Sequence, residues 1–390
     1  MGVLRIVLFV LPFLLGLLGA HYVLYLTVVK FFDLSQRGVK LALFLVPLFL
    51  TLSFVFANLL LRLDRNVVFE GYGLVSVVWL GLFIQLLQAA GLVWLFYLMA
   101  RLIGRVPDMR IVVLCGLGLA VALTVYGAWN ARRPQLTRIA VALKNLPDHW
   151  RGRTVVQLSD VHLGVVRGEG YARDLVVRVN ALQPALVLIT GDLFDGMGGH
   201  FDELIAPFAE LEAEHGTYFV TGNHEGYAGL ERTVPVIERS SIRLLDDEVV
   251  EVAGLQLVGI GFPEHDGAAD PQAVAAQIDP ERPSILLYHT PTDVLGTPGD
   301  RGAQQNRTYF SPDTRFDFAH RHGIDLQLSG HTHQGQFFPF TLLTRWIYGG
   351  YDHGLHRSGD FHLYTSSGTG TWGPPLRLAS RSEIVAVTLE

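Results

Sequence analysis

Cysteine is almost missing from this 390-residue chain. Cys115 stands alone, which excludes a disulfide framework and a cysteine-built zinc site. Charge is scarce as well: Asp, Glu, Lys and Arg make up 17% of the residues, against about 25% in an average soluble domain. Half the residues are hydrophobic and the mean hydropathy is +0.33, values foreign to disordered, collagen-like and ordinary soluble chains. There is no basic excess. The net charge of −6 offers no electrostatic footprint for nucleic acid, and none is expected as a partner. Internal repeats and low-complexity tracts are also lacking. The length allows one to three folded units.

These averages conceal two unlike parts. Residues 1–131 hold nine Lys/Arg and four Asp/Glu, a net of +5, whereas 132–390 hold 21 basic and 32 acidic residues, a net of −11. Of the 15 histidines, only His21 lies in the first part. Four apolar runs, about 6–29, 41–61, 73–100 and 111–129, each reach the roughly 17–25 residues that cross ~30 Å of hydrocarbon. No periodic polar face interrupts them, which argues against a buried helical core. The first run is long for a signal peptide, and the sequence around Ala20 is a poor cleavage site. Tyr22, Tyr25, Trp94, Tyr97 and Trp129 lie near run ends, where interfacial aromatics gather. Few ionisable residues lie inside the runs, so no ion pathway is indicated, and Gln85 and Gln88 read as helix–helix contacts. A multi-pass protein of the cell membrane is expected. Seven basic residues flank one side and six the other, so charge leaves the orientation open. The expected organisation is a membrane domain of four transmembrane helices over 1–131, a linker over 132–150 and a catalytic domain over 151–390.

Beyond the linker, strand and helix patterns alternate. Thr154–Leu158, 185–190, 218–221, Leu255–Ile260, Ser284–Tyr288 and 325–328 read as strands; 170–182, 203–214 and 316–322 read as helices. Such alternation implies an α/β core with buried, largely parallel strands. In such sheets chemistry collects beyond the carboxyl ends of the strands. Five of these ends carry the same kind of residue: Asp160 and His162; Asp192 and Asp195; Asn223, His224 and Glu225; His289; His331 and His333. Gly191, Gly222 and Gly330 each precede a polar residue, which suits tight turns with unusual backbone angles. Each cluster alone is weak, but five in order are specific. Carboxylates mixed with imidazoles suit manganese, iron or zinc better than calcium. So many ligands exceed one ion and fit two divalent metal ions sharing a carboxylate.

With these blocks in order, residues 150–390 resemble the calcineurin-like metallophosphoesterases. The contexts Gly330-His-Thr-His-Gln-Gly-Gln336 and Gly370-Thr-Trp-Gly-Pro-Pro-Leu-Arg377 resemble a membrane-attached branch, the transmembrane proteins with a metallophosphoesterase domain. The resemblance implies a fold of two mixed β-sheets sandwiched between helices, following the all-α transmembrane helices. It implies that Asp160, His162 and His333 hold one ion, that Asn223, His289 and His331 hold the other, and that Asp192 bridges both. His224 would serve the leaving oxygen and Asp195 would orient His224. Three departures stand out: Glu225, where many members have Asp; Gln334, where Gly is frequent; and an insertion over 296–311, read either as a rim loop that shapes substrate choice or as a plain surface loop.

The implied reaction is hydrolysis of a phosphoester or pyrophosphate by in-line attack of metal-activated hydroxide. A membrane anchor favours, by proximity to the lipid bilayer, a lipid-linked phosphate. Some resembling proteins are linked to cleavage of UDP-2,3-diacylglucosamine. The alternatives are a general or nucleotide phosphodiesterase with the helices only as an anchor, and a non-catalytic membrane scaffold. A scaffold would be expected to have lost ligands, and none is missing. The late aromatics Phe337, Phe338, Phe340, Trp346, Tyr348, Tyr351 and Trp372 read either as packing against the sheet or as an apolar rim.

Overall fold

The computed structural model describes residues 2–64, 66–196, 200–263, 271–294 and 311–390. The chain divides into two compact units. One comprises Met1–Ala128 with Gly373–Pro375, the other Trp129–Trp372 with Leu376–Glu390.

The first unit is helical: α1 (Gly2–Phe31), α2 (Arg37–Leu63), α3 (Val67–Leu102) and α4 (Met109–Ala131). Each is long and apolar enough to cross a membrane. Helix α3 starts where Asn66 caps it, its side chain accepting from the Val68 and Phe69 amides at 3.1 and 3.0 Å. Some polar groups inside this unit pair with one another, whereas buried Gln85 has no hydrogen-bond partner for its amide among the described residues. Thr51 Oγ1 lies 3.0 Å from His21 Nε2 and accepts from Trp79 Nε1 at 3.0 Å. Trp94 Nε1 donates to Thr27 Oγ1 at 2.9 Å.

The second unit is built on two six-stranded sheets. In chain order the strands are β1 (Gln135–Val141), β2 (Thr154–Leu158), β3 (Leu186–Thr190), β4 (Thr217–Val220), β5 (Ile242–Leu244), β6 (Glu248–Val252), β7 (Leu255–Ile260), β8 (Ser284–Tyr288), β9 (Leu326–Ser329), β10 (Gly354–Ser358), β11 (Phe361–Thr365) and β12 (Glu383–Leu389). One sheet runs β1-β12-β2-β3-β4-β5 and the other β10-β11-β9-β8-β7-β6. Central pairings are parallel, while β12 with β2, β10 with β11 and β6 with β7 are antiparallel. The sheets are therefore mixed.

Side-chain alternation explains the continuous apolar runs. Val155, Leu186 and Leu188 face the second sheet's Leu257, Ile285, Leu287, Leu326 and Leu328. Val156, Val187 and Ile189 face the other way, against Leu175, Val176 and Val179 of the helix Glu169–Asn180. Leu286 and Tyr288 pack outward on Phe318 and Ala319 of the helix Asp317–His322. Strands covered on both faces carry no polar alternation.

Three differences from the sequence reading have physical reasons. The helix expected over 203–214 is a short α-helix, Phe201–Ile205, followed by a 3₁₀ turn, Ala206–Glu210. Pro207 cannot supply the amide that an α-helix needs there. The span 132–150 is not all linker, because β1 pairs in parallel with β12. Strands β5, β6 and β10–β12 had no counterpart in the sequence reading. They lie in stretches where short runs are interrupted by charge or where aromatics drew attention instead. The expected insertion at 296–311 falls, but for Ser311, outside the described residues.

Glu383 ties the two sheets where they meet. It is buried, and its carboxylate accepts from Tyr364 at 3.0 Å, Thr137 at 2.5 Å, Ser366 at 3.2 Å and the Ser367 amide at 2.8 Å. Burial alone would raise its pKa. His353, 3.5 Å away, together with these donors pulls it down from 4.5 to about 2. A depressed pKa stabilises the fold above the unfolded-state value, and that contribution fades as pH drops toward the folded-state value. Glu383→Gln should lower stability at pH 7 by about 1–3 kcal/mol. The gap between variant and parent melting temperatures should narrow as pH falls from 4.5 toward 2, read by scanning fluorimetry in detergent.

Candidate metal centre

The loops leaving β2, β3, β4, β8 and β9 carry the nine residues to which the family resemblance gives roles, and they meet at one end of the two sheets. The loops are laced together. The Asp160 amide donates to the Gly191 carbonyl at 3.0 Å, His162 to Asp192 at 3.1 Å, and Gly330 to His289 at 2.8 Å. Between the sheets, His289 Nδ1 donates to the Thr190 carbonyl at 2.8 Å.

The unusual backbone angles fall on the chemical residues themselves. Asp160, His162, Asp192, His331 and His333 have φ of 52°, 52°, 54°, 71° and 50°. Left-handed backbone at such residues costs roughly 1–3 kcal/mol each and persists only where the surroundings over-determine it, typically at functional sites. The glycines need a different reading from the one made above. Gly191 has φ of +86°, as a tight turn asks, but Gly222 is extended. At Gly222 and Gly330 the requirement is space. A Cβ would fall 2.2 Å from Asp192 Oδ1 at Gly222, and 1.9 Å from Ser159 Oγ and 2.1 Å from Asp160 Oδ2 at Gly330.

Two nests of donor atoms result. In the first, His333 Nε2 is 3.0 Å from His162 Nε2 and 3.3 Å from Asp160 Oδ1. In the second, Asn223 Oδ1 is 2.9 Å from His331 Nδ1 and 3.2 Å from His289 Nε2, and these two nitrogens are 3.3 Å apart. Asp192 stands between them, with Oδ2 3.3 Å from His289 Nε2 and 3.8 Å from His162 Nε2. Its other oxygen, Oδ1, accepts from the His224 amide at 2.8 Å. The remaining pair lies alongside. His224 Nδ1 donates to the Asp195 main-chain carbonyl at 2.8 Å, so Asp195 meets His224 through its backbone and not through its carboxylate. The Asp195 carboxylate instead lies 3.6 Å from His162 Nδ1, a buried atom with no hydrogen bond among the described residues.

The electrostatics suit cations. Burial drives His162 and His333 well below the usual imidazole pKa and lowers His331 to about 3, which leaves neutral rings with lone pairs to give. Burial raises Asp160 to about 6 and Asp195 to about 7. His289 behaves oppositely: burial would lower it, but Asp192 beside it lifts it to about 10. The direction of that shift marks buried carboxylate charge that a cation would balance. Two carboxylates, four imidazoles and an amide oxygen, at mutual separations that leave facing lone pairs, fit the donor set of a pair of borderline divalent ions.

Two residues to which the sequence assigned no role hold this arrangement. Glu225 is fully buried and accepts from the amides of Gly222, Asp192 and Phe194 at 2.8, 2.9 and 3.1 Å, fastening the β3 and β4 loops together. A carboxylate three residues inside a helix start is the sequence signal for such a bond. Arg377, also fully buried, donates to the carbonyls of His333, Ser367 and Gly370 at 2.8, 2.6 and 2.7 Å. It wraps the C-terminal segment around His333, 44 positions away, a partnership no spacing reveals.

Comparison with known proteins agrees with this geometry. A family model for the calcineurin-like phosphoesterases matches residues 153–335. An uncharacterized metallophosphoesterase of Helicobacter pylori J99 is 32% identical over 66% of this chain and 64% of its own length. A transmembrane protein with metallophosphoesterase domain from Danio rerio is 32% identical over 70% of this chain and 61% of its own. An uncharacterized metallophosphoesterase of Aquifex aeolicus is 30% identical over 70% of this chain and 98% of its own. The chain belongs to the calcineurin-like metallophosphoesterases. It spans less than two thirds of the Helicobacter and zebrafish relatives.

Gly330→Ala should push Asp160 aside and lower the metal bound per chain, read by elemental analysis of purified protein whose circular dichroism is unchanged. Parental metal content would show that Asp160 can shift without consequence.

Proposed function

We propose that the chain is a membrane-anchored, metal-dependent phosphohydrolase that cleaves a phosphate ester or pyrophosphate. One observation carries the proposal: a single aspartate oxygen, Asp192 Oδ2, faces both donor nests. In this reading residues 1–131 are a multi-pass anchor in the cell membrane and 151–390 the phosphoesterase domain. Asp160, His162 and His333 hold one divalent ion, Asn223, His289 and His331 the other, and Asp192 is shared. Manganese, iron and zinc suit these donors. When bound, such a pair neutralises phosphoryl oxygens and acidifies a water between them.

The protein groups have separate tasks. The Thr190 carbonyl holds the proton of His289 on Nδ1, keeping Nε2 free as a ligand atom. The Asp195 carboxylate, 3.6 Å from His162 Nδ1, lies on the side of that ring away from the first nest and favours a proton on Nδ1 by charge alone. With Nδ1 of His224 committed to the Asp195 carbonyl, Nε2 is the atom left to pass a proton to the leaving oxygen. Buried surroundings exclude water and strengthen each of these contacts.

A lipid-linked phosphate or diphosphate is the substrate class an anchored site favours, by proximity. Metal-loaded full-length protein should be assayed against lipid phosphates, UDP-2,3-diacylglucosamine, nucleotides and aryl phosphates for product release. Cleavage of none of them would overturn the proposal. Stripping metal with a chelator should abolish turnover, and adding manganese should restore it. Asp192→Asn should reduce turnover to background with little change in melting temperature; full turnover in that variant would refute the shared-ligand role. His224→Ala should lose about 10²–10⁴-fold in turnover while keeping parental metal content.

A further inference from the structure

The helix Phe340–Ile347 is built inside out for a protein surrounded by water. No residue in it is buried. Leu342, Leu343 and Trp346, at helical spacing, form its outer face and are 61%, 46% and 80% exposed. The opposite face carries its threonines: Thr344 Oγ1 is 3.2 Å from the carboxylate of Asp352, a buried residue, and 3.3 Å from the Thr341 carbonyl. A helix on an aqueous surface puts such groups the other way round. Phe338, two residues before the helix, and Trp372, which Gln336 holds, add exposed aromatic surface at 56% and 57% exposure, beyond the scattered apolar residues normal on a surface. The late aromatics thus divide: Phe337 and Tyr348 are buried, whereas Phe338, Phe340, Trp346 and Trp372 are exposed.

The surroundings say what covers this face. Gln336 clamps Trp372 by both ends of its amide, at 2.8 Å to the carbonyl and 3.0 Å to the N–H. In the same unit, the C-terminal segment is tied to the last residues of Met109–Ala131, a helix long and apolar enough to cross a membrane: Asn130 Nδ2 donates to the Arg377 carbonyl at 2.8 Å, and Ser382 Oγ donates to the Ala131 carbonyl at 3.4 Å. There Trp129 is half exposed and lies 4.6 Å from the Arg133 guanidinium, the aromatic-and-basic pairing of a membrane interface. Arg132, Arg133, Arg345 and Arg381 are exposed, and no acidic residue lies in 336–348. Arginines beside an apolar helical face complement anionic headgroups. The excursion also begins and ends at the metal centre. It leaves from His333 and returns at Tyr348, whose ring is 6.3 Å from that of His331.

We infer that the outer face of Phe340–Ile347, with Phe338 and Trp372, is an in-plane membrane contact that enters the headgroup region of an anionic leaflet beside the metal centre. This rests on the reading of the chain as membrane-anchored. It makes amphiphilic phosphates held in that leaflet the substrates with the shortest path to the site.

The test uses full-length protein with Cys115→Ser, reconstituted in vesicles of phosphatidylcholine and phosphatidylglycerol. Nitroxides are placed through Leu342→Cys and Trp346→Cys, and through Glu238→Cys as an exposed, charged control. Collision with oxygen and with a water-soluble nickel chelate is measured. The expected result is an oxygen-to-nickel ratio several-fold above the control at 342 and 346. Nickel access equal to the control would put the face in water and overturn the inference. Shielding from both reagents would mean a protein partner or a second copy, and would overturn it equally. Either position decides if the other variant does not fold. Hydrolysis of an aryl phosphate is followed on the same samples. Probes in water with turnover intact sink this inference alone; probes in lipid without turnover sink the hydrolase reading alone.

Discussion

The site depends on one carboxylate with its two oxygens assigned to different partners. Asp192 Oδ1 is held by the His224 amide, while Oδ2 looks into the space that His162 and His289 share. The backbone that carries it is left-handed and cannot relax, because Glu225 binds the amides of Gly222, Asp192 and Phe194 at once. Remove that constraint and the β3 and β4 loops have no reason to hold a strained aspartate between two nests of imidazoles. Buried carboxylate charge of this density is tolerable only when protons or cations balance it.

The sandwich exists to bring loop ends from two sheets to one place. Strands β2, β3 and β4 run parallel in one sheet and β8 and β9 in the other, and their carboxyl ends converge. His289 reaches across to the Thr190 carbonyl, and Gln157 reaches the Ser329 carbonyl at 2.9 Å. These bonds between sheets keep the nests in register with each other. Arg377 adds the C-terminal segment to the same construction, with His333, Ser367 and Gly370 as its acceptors. The short return from that segment to β12 closes the first sheet beside β1 and β2.

Much of the parallel core was readable from residues alone. Strands covered on both faces leave continuous apolar runs, and β2, β3, β7 and β8 were legible for that reason. Edge strands were not. β1 carries charge and exposed positions, and β10 is mostly exposed, so neither shows an apolar run. The helix over 203–214 was overextended because its apolar spacing outweighed one proline, whose missing amide nonetheless decides the geometry. At the site, the residue types and their order were visible, but the split of labour within Asp195, carbonyl to one histidine and carboxylate toward another, was not. Backbone atoms carry no sequence signal.

The linear order of amino acids by itself determined that a charge-poor, membrane-length helical part precedes a histidine-rich α/β part. It also determined which strand ends carry clustered donor side chains, because hydrophobic periodicity and donor atoms are local properties. Only the tertiary structure decided that Asp192 Oδ2 faces both nests, that Gly222 and Gly330 are small for lack of room, and that Phe340–Ile347 turns its leucines and tryptophan outward. Each of these depends on which distant segments pack against a residue, and the energy of that packing belongs to pairs of surfaces rather than to a position in the chain.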